Sequence, residues 1–335
     1  MELVESVAAG SPAATAALDP RESTFRIASH HPHLSLFLRH LPPTRAADRA
    51  GAPVVLYIHG ATFPSALSVA YRFDGRSWRD DLCAAGFHVW GLDFLGFGAA
   101  DRYPEMQDST ASALPLGRAE DASRQIESAF RFILDRQGRS RLSLIAHSWG
   151  TIAAGRFAAR CPELVDRLAW FGPIAQRQLA PVAAMPRLPA LRTITLEEQW
   201  RRFVEDVPPG AEPVLNRAVF QTWGRHYLAS DPTSAGHNPA AVRVPGGPAQ
   251  DIAAAWHGDL AYDPAAIKAP LAILRGEWDS LMTDADARWL FDALVAAPEK
   301  LDVKLSRGTH LMHLEHGRHR LHRAARDFLL AGSED

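Results

Sequence analysis

The chain has 335 residues, 47% of them apolar, and carries 36 basic against 38 acidic side chains for a formal net charge of −2. That balance leaves no basic stripe for a nucleic-acid partner, while the apolar share suffices for a sizeable core. No apolar run approaches the ~18 residues of a membrane span, and Glu2 and Glu5 stand where a secretory leader would carry Lys or Arg. The expectation is a cytoplasmic protein without membrane attachment. Cys83 and Cys161 are too few for a disulfide framework and read as buried, reduced thiols.

In chain order, residues 1–24 read as an N-terminal tail, either loose or an early helix, and residues 25–29 and 34–40 as a short strand pair. Residues 53–58 are a dense run of β-formers ending at His59-Gly60, a buried strand feeding a loop. A helix follows with Trp78, Leu82 and Cys83 on one face, ended by Gly86. Residues 87–92 form the next buried strand. The clearest helix spans 117–136, where Ala122, Ile126, Ala129, Phe130, Ile133 and Leu134 recur at helical spacing. A strand at 142–146, a helix at 151–160 and a strand at 168–172 continue the alternation. Short buried strands alternating with helices predict an α/β fold, a mostly parallel sheet covered on both faces.

The alternation breaks between Pro173 and Asp263, where Pro, Gly and aromatic residues are dense and helical pieces at 196–207 and 214–228 lack strands between them. It resumes with strands at 270–275 and 302–306 and helices at 284–296 and 318–330. The domain reading is therefore a core of residues 25–172 and 264–331, with 173–263 inserted as a helical lid over the carboxyl ends of the strands.

The sharpest local signal is Ala146-His147-Ser148-Trp149-Gly150, between a predicted strand and helix. It fits the pattern G-x-S-x-G, with Ala for the first Gly. Small residues are needed on either side because strand and helix approach closely, and the serine backbone must be strained to push Oγ above the sheet. A serine hydroxyl needs a base, and the base needs a third group to fix its tautomer. Asp279, in Gly276-Glu277-Trp278-Asp279, and His310, in Gly308-Thr309-His310, each follow a late strand at the same end of the sheet as Ser148. The catalytic assignment is Ser148 as nucleophile, His310 as base and Asp279 as its orienting acid.

Glu277 lies too near its strand end to replace Asp279, and Asp284 reads as a helix cap. His313 rivals His310 but reads as packed on the following segment or solvated. His310, His313, His316, His319 and His322 recur every third residue, a step that drifts around a helix and does not make a metal face. No metal and no cofactor are expected. Two N–H donors are needed for a developing oxyanion. One falls on Trp149, the residue after the nucleophile, and the second on Ala61, with Thr62 as its alternative. His59 reads as a brace for that loop.

These motifs, with the run Gly91-Leu92-Asp93-Phe94-Leu95-Gly96-Phe97-Gly98, resemble the α/β-hydrolase superfamily over almost the whole stretch 25–330. The resemblance implies that Asp93 and its glycines shape a loop, and that a helical lid sits between the sixth and seventh core strands. Ala146 for Gly, and Ala100 where relatives often carry Ser, are its two departures. It also implies a partial likeness to proline iminopeptidases, whose lid carboxylates hold a substrate amine; Glu197, Glu198 and Glu205 would be the counterparts. Arg201, Arg202, Arg225 and His226 offer the opposite, a carboxylate-bearing substrate.

The partner expected is a small molecule, in an apolar pocket to which Thr62, Trp200, Trp223, Trp256 and Trp278 contribute. Carboxylic esters are the leading substrate class. An acyltransferase, an amide hydrolase or a non-catalytic receptor would use the same scaffold. Haloalkane dehalogenases and most epoxide hydrolases of this fold use a carboxylate nucleophile, which Ser148 is not. The sequence is silent on oligomeric state.

Overall fold

The computed structural model describes residues 19–45, 51–106, 114–179 and 187–331. Most of the N-terminal tail lies outside the described residues. Its end is tied down: Asp19 meets Arg72, and the fully buried side chain of Glu22 bridges Arg39 and Arg79.

The described residues form ten strands and eight α-helices. They are β1 (Ser23–Ala28), β2 (Ser35–Leu41), β3 (Val54–Ile58), α1 (Trp78–Ala84), β4 (His88–Asp93), α2 (Ala119–Gln137), β5 (Leu142–His147), α3 (Gly150–Arg160) and β6 (Val165–Phe171). Then come β7 (Leu191–Thr195), α4 (Leu196–Val204), α5 (Arg217–Ala229), β8 (Ala241–Pro245), α6 (Gly247–Trp256), β9 (Leu271–Gly276), α7 (Asp284–Ala293), β10 (Lys300–Leu305) and α8 (His319–Leu330). Eight strands form one sheet in the order β1-β2-β4-β3-β5-β6-β9-β10. The β1–β2 and β2–β4 pairs are antiparallel and the rest parallel.

Strands β3, β4, β5 and β9 are buried along their whole length, as expected of a sheet covered on both faces. Alternate residues serve opposite faces. Leu56 and Ile58 join the core beneath α2 and α3, while Val55 and Tyr57 join the one beneath α1 and α8. The chain leaves β3 to one side, into β4, and returns on the other side as β5. That reversal opens a crevice at the carboxyl ends of β3 and β5, where open α/β sheets bind ligands.

The chain between β6 and β9 differs from the all-helical expectation. β7 and β8 pair antiparallel, from Leu191 with Pro245 to Thr195 with Ala241, and α6 follows them. The strands are five residues each and 45 residues apart, too short and too separated for their alternation to stand out. Thr283, not Asp284, caps α7: its hydroxyl accepts from the Asp286 amide, and the Asp286 carboxylate accepts from Thr283 in return. Asp284 instead meets Arg275 and Lys304. Cys83 and Cys161 are buried free thiols. Among the described residues no helix is long and apolar enough to cross a membrane.

Candidate active site

Strand β5 runs straight into Ser148, whose φ of 56° lies in the left-handed region. A non-glycine residue held there costs on the order of 1–3 kcal/mol. Two features enforce it. The Ser148 amide donates to the Phe171 carbonyl on the neighbouring strand at 3.0 Å. The turn into α3 passes so close to β3 that a Cβ on Gly150 would sit 2.4 Å from the His59 carbonyl oxygen. Ala146 is fully buried and paired with Ile58 and Trp170, where a methyl is accommodated.

Strands β9 and β10 carry the other two groups. Their register, ending at Leu305 beside Gly276, brings the two following loops together, and Trp278 N–H donates to the Gly308 carbonyl at 2.9 Å. His310 Nε2 lies 2.8 Å from Ser148 Oγ, and its Nδ1 lies 3.0 Å from both Asp279 carboxylate oxygens. Asp279 Oδ1 also accepts from the amides of Leu281 and Met282, which fix the carboxylate. All three residues are buried. Gly172, at φ 51°, passes behind the pair, where a Cβ would lie 2.9 Å from His310 Nδ1 and 3.0 Å from Asp279 Oδ2.

The loop after β3 runs alongside. A Cβ on Gly60 would be 3.3 Å from Ser148 Cβ. Neither the Ala61 amide nor the Trp149 amide has an acceptor among the described residues. His59 braces this loop as expected, through Nδ1 to the Gly60 carbonyl at 2.7 Å and Nε2 to the Phe94 amide at 3.3 Å; burial holds its pKa below the ordinary value. Asp93 accepts from the Ser65 and Ala99 amides and so shapes the loop behind it.

His313 is neither solvated nor packed simply on the following segment. It is buried against Phe63, His147 and Phe171, and neither ring nitrogen has a hydrogen bond among the described residues. His147 donates from Nε2 to the His310 carbonyl at 3.0 Å. Burial first, then the neighbouring histidines, hold His147 and His313 well below the ordinary histidine value. His319 and His322 diverge from these and lie near Asp81, with His322 Nδ1 at 2.6 Å from its carboxylate.

The tryptophans are dispersed. Trp223 is fully buried among Phe63, Phe203, Phe220 and Tyr227 and donates to the Leu67 carbonyl. Trp200 packs on Phe220 beneath Arg217, and Trp256 lies under Arg177. Trp278, half-buried, adjoins Asp279. Among the described residues no hydrogen bond or ring contact joins any of these four to Ser148, Asp279 or His310.

Two links were not anticipated from sequence. Trp149 Nε1 donates to Asp251 Oδ2 on α6 at 2.9 Å, and the same carboxylate accepts from Arg118 and the Ala119 amide. Arg202 on α4 donates to Thr62 Oγ1 at 3.0 Å.

Comparison with known proteins agrees with this architecture. A segment of 161 residues is 27% identical to human lysosomal acid lipase/cholesteryl ester hydrolase, over 46% of this chain and 40% of that protein. A segment of 123 residues is 29% identical to mouse epoxide hydrolase 4, over 37% of this chain and 29% of that protein. The chain thus matches less than half the length of either relative. A carboxylesterase structure from the thaumarchaeon Nitrososphaera gargenis superposes with a TM-score of 0.62 over 92% of this chain and 99% of that one, at 12% identity, a likeness of fold alone. The family model described as the alpha/beta hydrolase fold matches residues 53–317, and the chain belongs to that family.

Proposed function

We propose that this chain is a serine hydrolase that cleaves carboxylic esters of a small, bulky or aromatic molecule through an acyl-enzyme on Ser148. The observation that carries the reading is the continuous hydrogen-bonded line from Ser148 Oγ through His310 to Asp279. His310 Nε2 takes the proton as Oγ attacks the carbonyl carbon, and Asp279 steadies the imidazolium that forms. The amides of Trp149 and Ala61 hold the oxyanion, each worth roughly 10²–10³ in rate. The leaving alcohol departs with the proton from His310, and water, deprotonated by the same nitrogen, releases the acyl group.

A serine at the elbow, where a carboxylate would serve epoxide or haloalkane chemistry, supports acyl transfer to water. Residues 173–263 act as a lid over this crevice. The amine-binding alternative is weakened because, of its three carboxylates, Glu198 is spent capping α4 with Thr195 and Glu197 pairs with Arg217, while Glu205 is exposed at the end of α4. Trp278 directly precedes Asp279, whereas Trp200, Trp223 and Trp256 are engaged in packing the inserted segment.

The test is labelling with a fluorophosphonate, location of the adduct by mass spectrometry, and hydrolysis of aromatic and aliphatic esters. Labelling at Ser148, lost in Ser148→Ala and His310→Ala, supports the reading. Labelling that survives in His310→Ala at the wild-type rate, or its absence in the folded wild type, overturns it.

A further inference from the structure

Several arginines drawn into this protein are matched with carboxylates, Arg39 and Arg79 with Glu22, Arg177 with Asp286, Arg275 with Asp302, Arg318 with Asp74, and half-buried Arg102 is held by the carbonyls of Ala100 and Ser230. Arg202 has neither a carboxylate nor a carbonyl partner among the described residues. It is only half-buried by surface, yet protein surrounds the guanidinium, and burial followed by the neighbouring Arg192 pushes it below its ordinary value. No carboxylate among the described residues lies within 4.0 Å of it, Glu205 and Asp206 being felt only at longer range. A guanidinium does not shed its proton in a protein, so this charge stays, without a counter-ion among the described residues.

Its one side-chain hydrogen bond among the described residues fixes its direction. Nη1 is spent on Thr62 Oγ1, and Thr62 directly follows Ala61 on the loop beside Ser148. The other edge of the fork, Nε and Nη2, has no hydrogen-bond partner among the described residues and is not sealed from open space. That edge presents two parallel N–H groups, the pattern that meets both oxygens of one carboxylate. The field of Arg202 also reaches His147, next to the nucleophile. Of the four lid cations noted in the sequence, Arg201 and Arg225 are exposed and His226 edges Tyr71. Arg202 is the one tied to the site.

We infer that Arg202, supported by Arg192, seats a carboxylate carried by the substrate, so that the natural substrate is an anionic ester. This rests on the ester-hydrolase reading for its chemistry but not for its binding. Recognition by such a fork, with Thr62 holding the guanidinium in register, favours a carboxylate-bearing ester over its neutral isostere by about tenfold or more.

The experiment compares para-nitrophenyl butyrate with the para-nitrophenyl half-ester of glutarate, which carries the carboxylate on the acyl side. It also compares phenyl butyrate with carboxyphenyl butyrate, which carries it on the alcohol side. The expected result is a higher kcat/KM for the anionic member of one pair, that ratio falling about tenfold or more in Arg202→Gln. Arg202→Lys should recover part of it, and Arg201→Gln, on the exposed side of α4, should leave it at the wild-type value. Equal ratios in wild type and Arg202→Gln for both pairs overturn the inference while leaving the hydrolase reading intact. Calorimetric titration of Ser148→Ala with glutarate reads the anion seat without catalysis. Where no ester is turned over, binding that disappears in Ser148→Ala/Arg202→Gln supports it, and absence of binding removes it.

Discussion

The indole of Trp149 donates to the carboxylate of Asp251, 102 residues further along the chain, across 2.9 Å. The residue whose amide is assigned to the oxyanion is therefore held by a side chain of α6, and the same carboxylate takes the Ala119 amide at the start of α2 and Arg118. Burial pushes the Asp251 carboxyl above its ordinary value against these donors.

Replacing Asp251 with Ala leaves an indole and a backbone amide buried and unpaired. The expected cost is about 2–4 kcal/mol of stability by urea unfolding. A fall of about tenfold or more in kcat for ester hydrolysis should accompany it as Trp149 loses its tether. Asp251→Asn keeps one acceptor oxygen and should lie between wild type and Ala in both measurements.

Asp279→Asn preserves the size of the acid but offers His310 Nδ1 an amide that no longer fixes the imidazole tautomer. Ester kcat should drop by roughly 10³–10⁴ with KM little changed. Circular dichroism should report an unaltered fold. A loss of less than tenfold would remove Asp279 from its assigned role.

At Gly172 two demands coincide, a φ of 51° and the closeness of the His310–Asp279 pair. Gly172→Ala should strain the backbone and push the imidazole away from Ser148. Fluorophosphonate labelling is expected to slow by about 10²-fold or more. Gly138, also at positive φ but with open space around it, is the control: Gly138→Ala should cost about 1 kcal/mol of stability and leave labelling alone.

Glu315 is buried behind the base, accepting from the amide and hydroxyl of Thr309, and burial pushes its carboxyl up to about 7. The folded chain thus keeps this proton at pH values where the unfolded chain has released it. Stability from this group is fully present below pH ~4.5 and declines as pH rises toward 7, by on the order of 1–3 kcal/mol. Glu315→Gln should flatten the melting temperature between pH 5 and 7.5 relative to wild type. An identical slope in both proteins would exclude Glu315 as its source.

The placement of Ser148, Asp279 and His310 was legible because each belongs to a local pattern, a strand followed by a short loop of small residues, and the parallel sheet brings such loops to one end. His59 was legible for the same reason, and Asp93 through the resemblance to the α/β-hydrolase superfamily. Asp251 and Arg202 were not. Their partners lie 102 and 140 residues away, and nothing in Gln250-Asp251-Ile252 or Arg201-Arg202 marks which side chain turns inward. The pairing of β7 with β8 was hidden by their brevity and separation. The burial of His313 depended on Phe63 arriving from the loop after β3 and Phe171 from β6, which no periodicity around residue 313 encodes.

His147 has a consequence of its own. Its ring anchors the His310 carbonyl while its backbone continues into Ser148, so nucleophile and base are moored to one another twice: through Oγ to Nε2, and through the ring of the preceding residue. Such double mooring means the loop after β10 cannot drift off while β5 stays intact. On heating, activity and tertiary structure should fail at the same temperature, and the protein should pass directly from working to unfolded without a folded, inactive stage between.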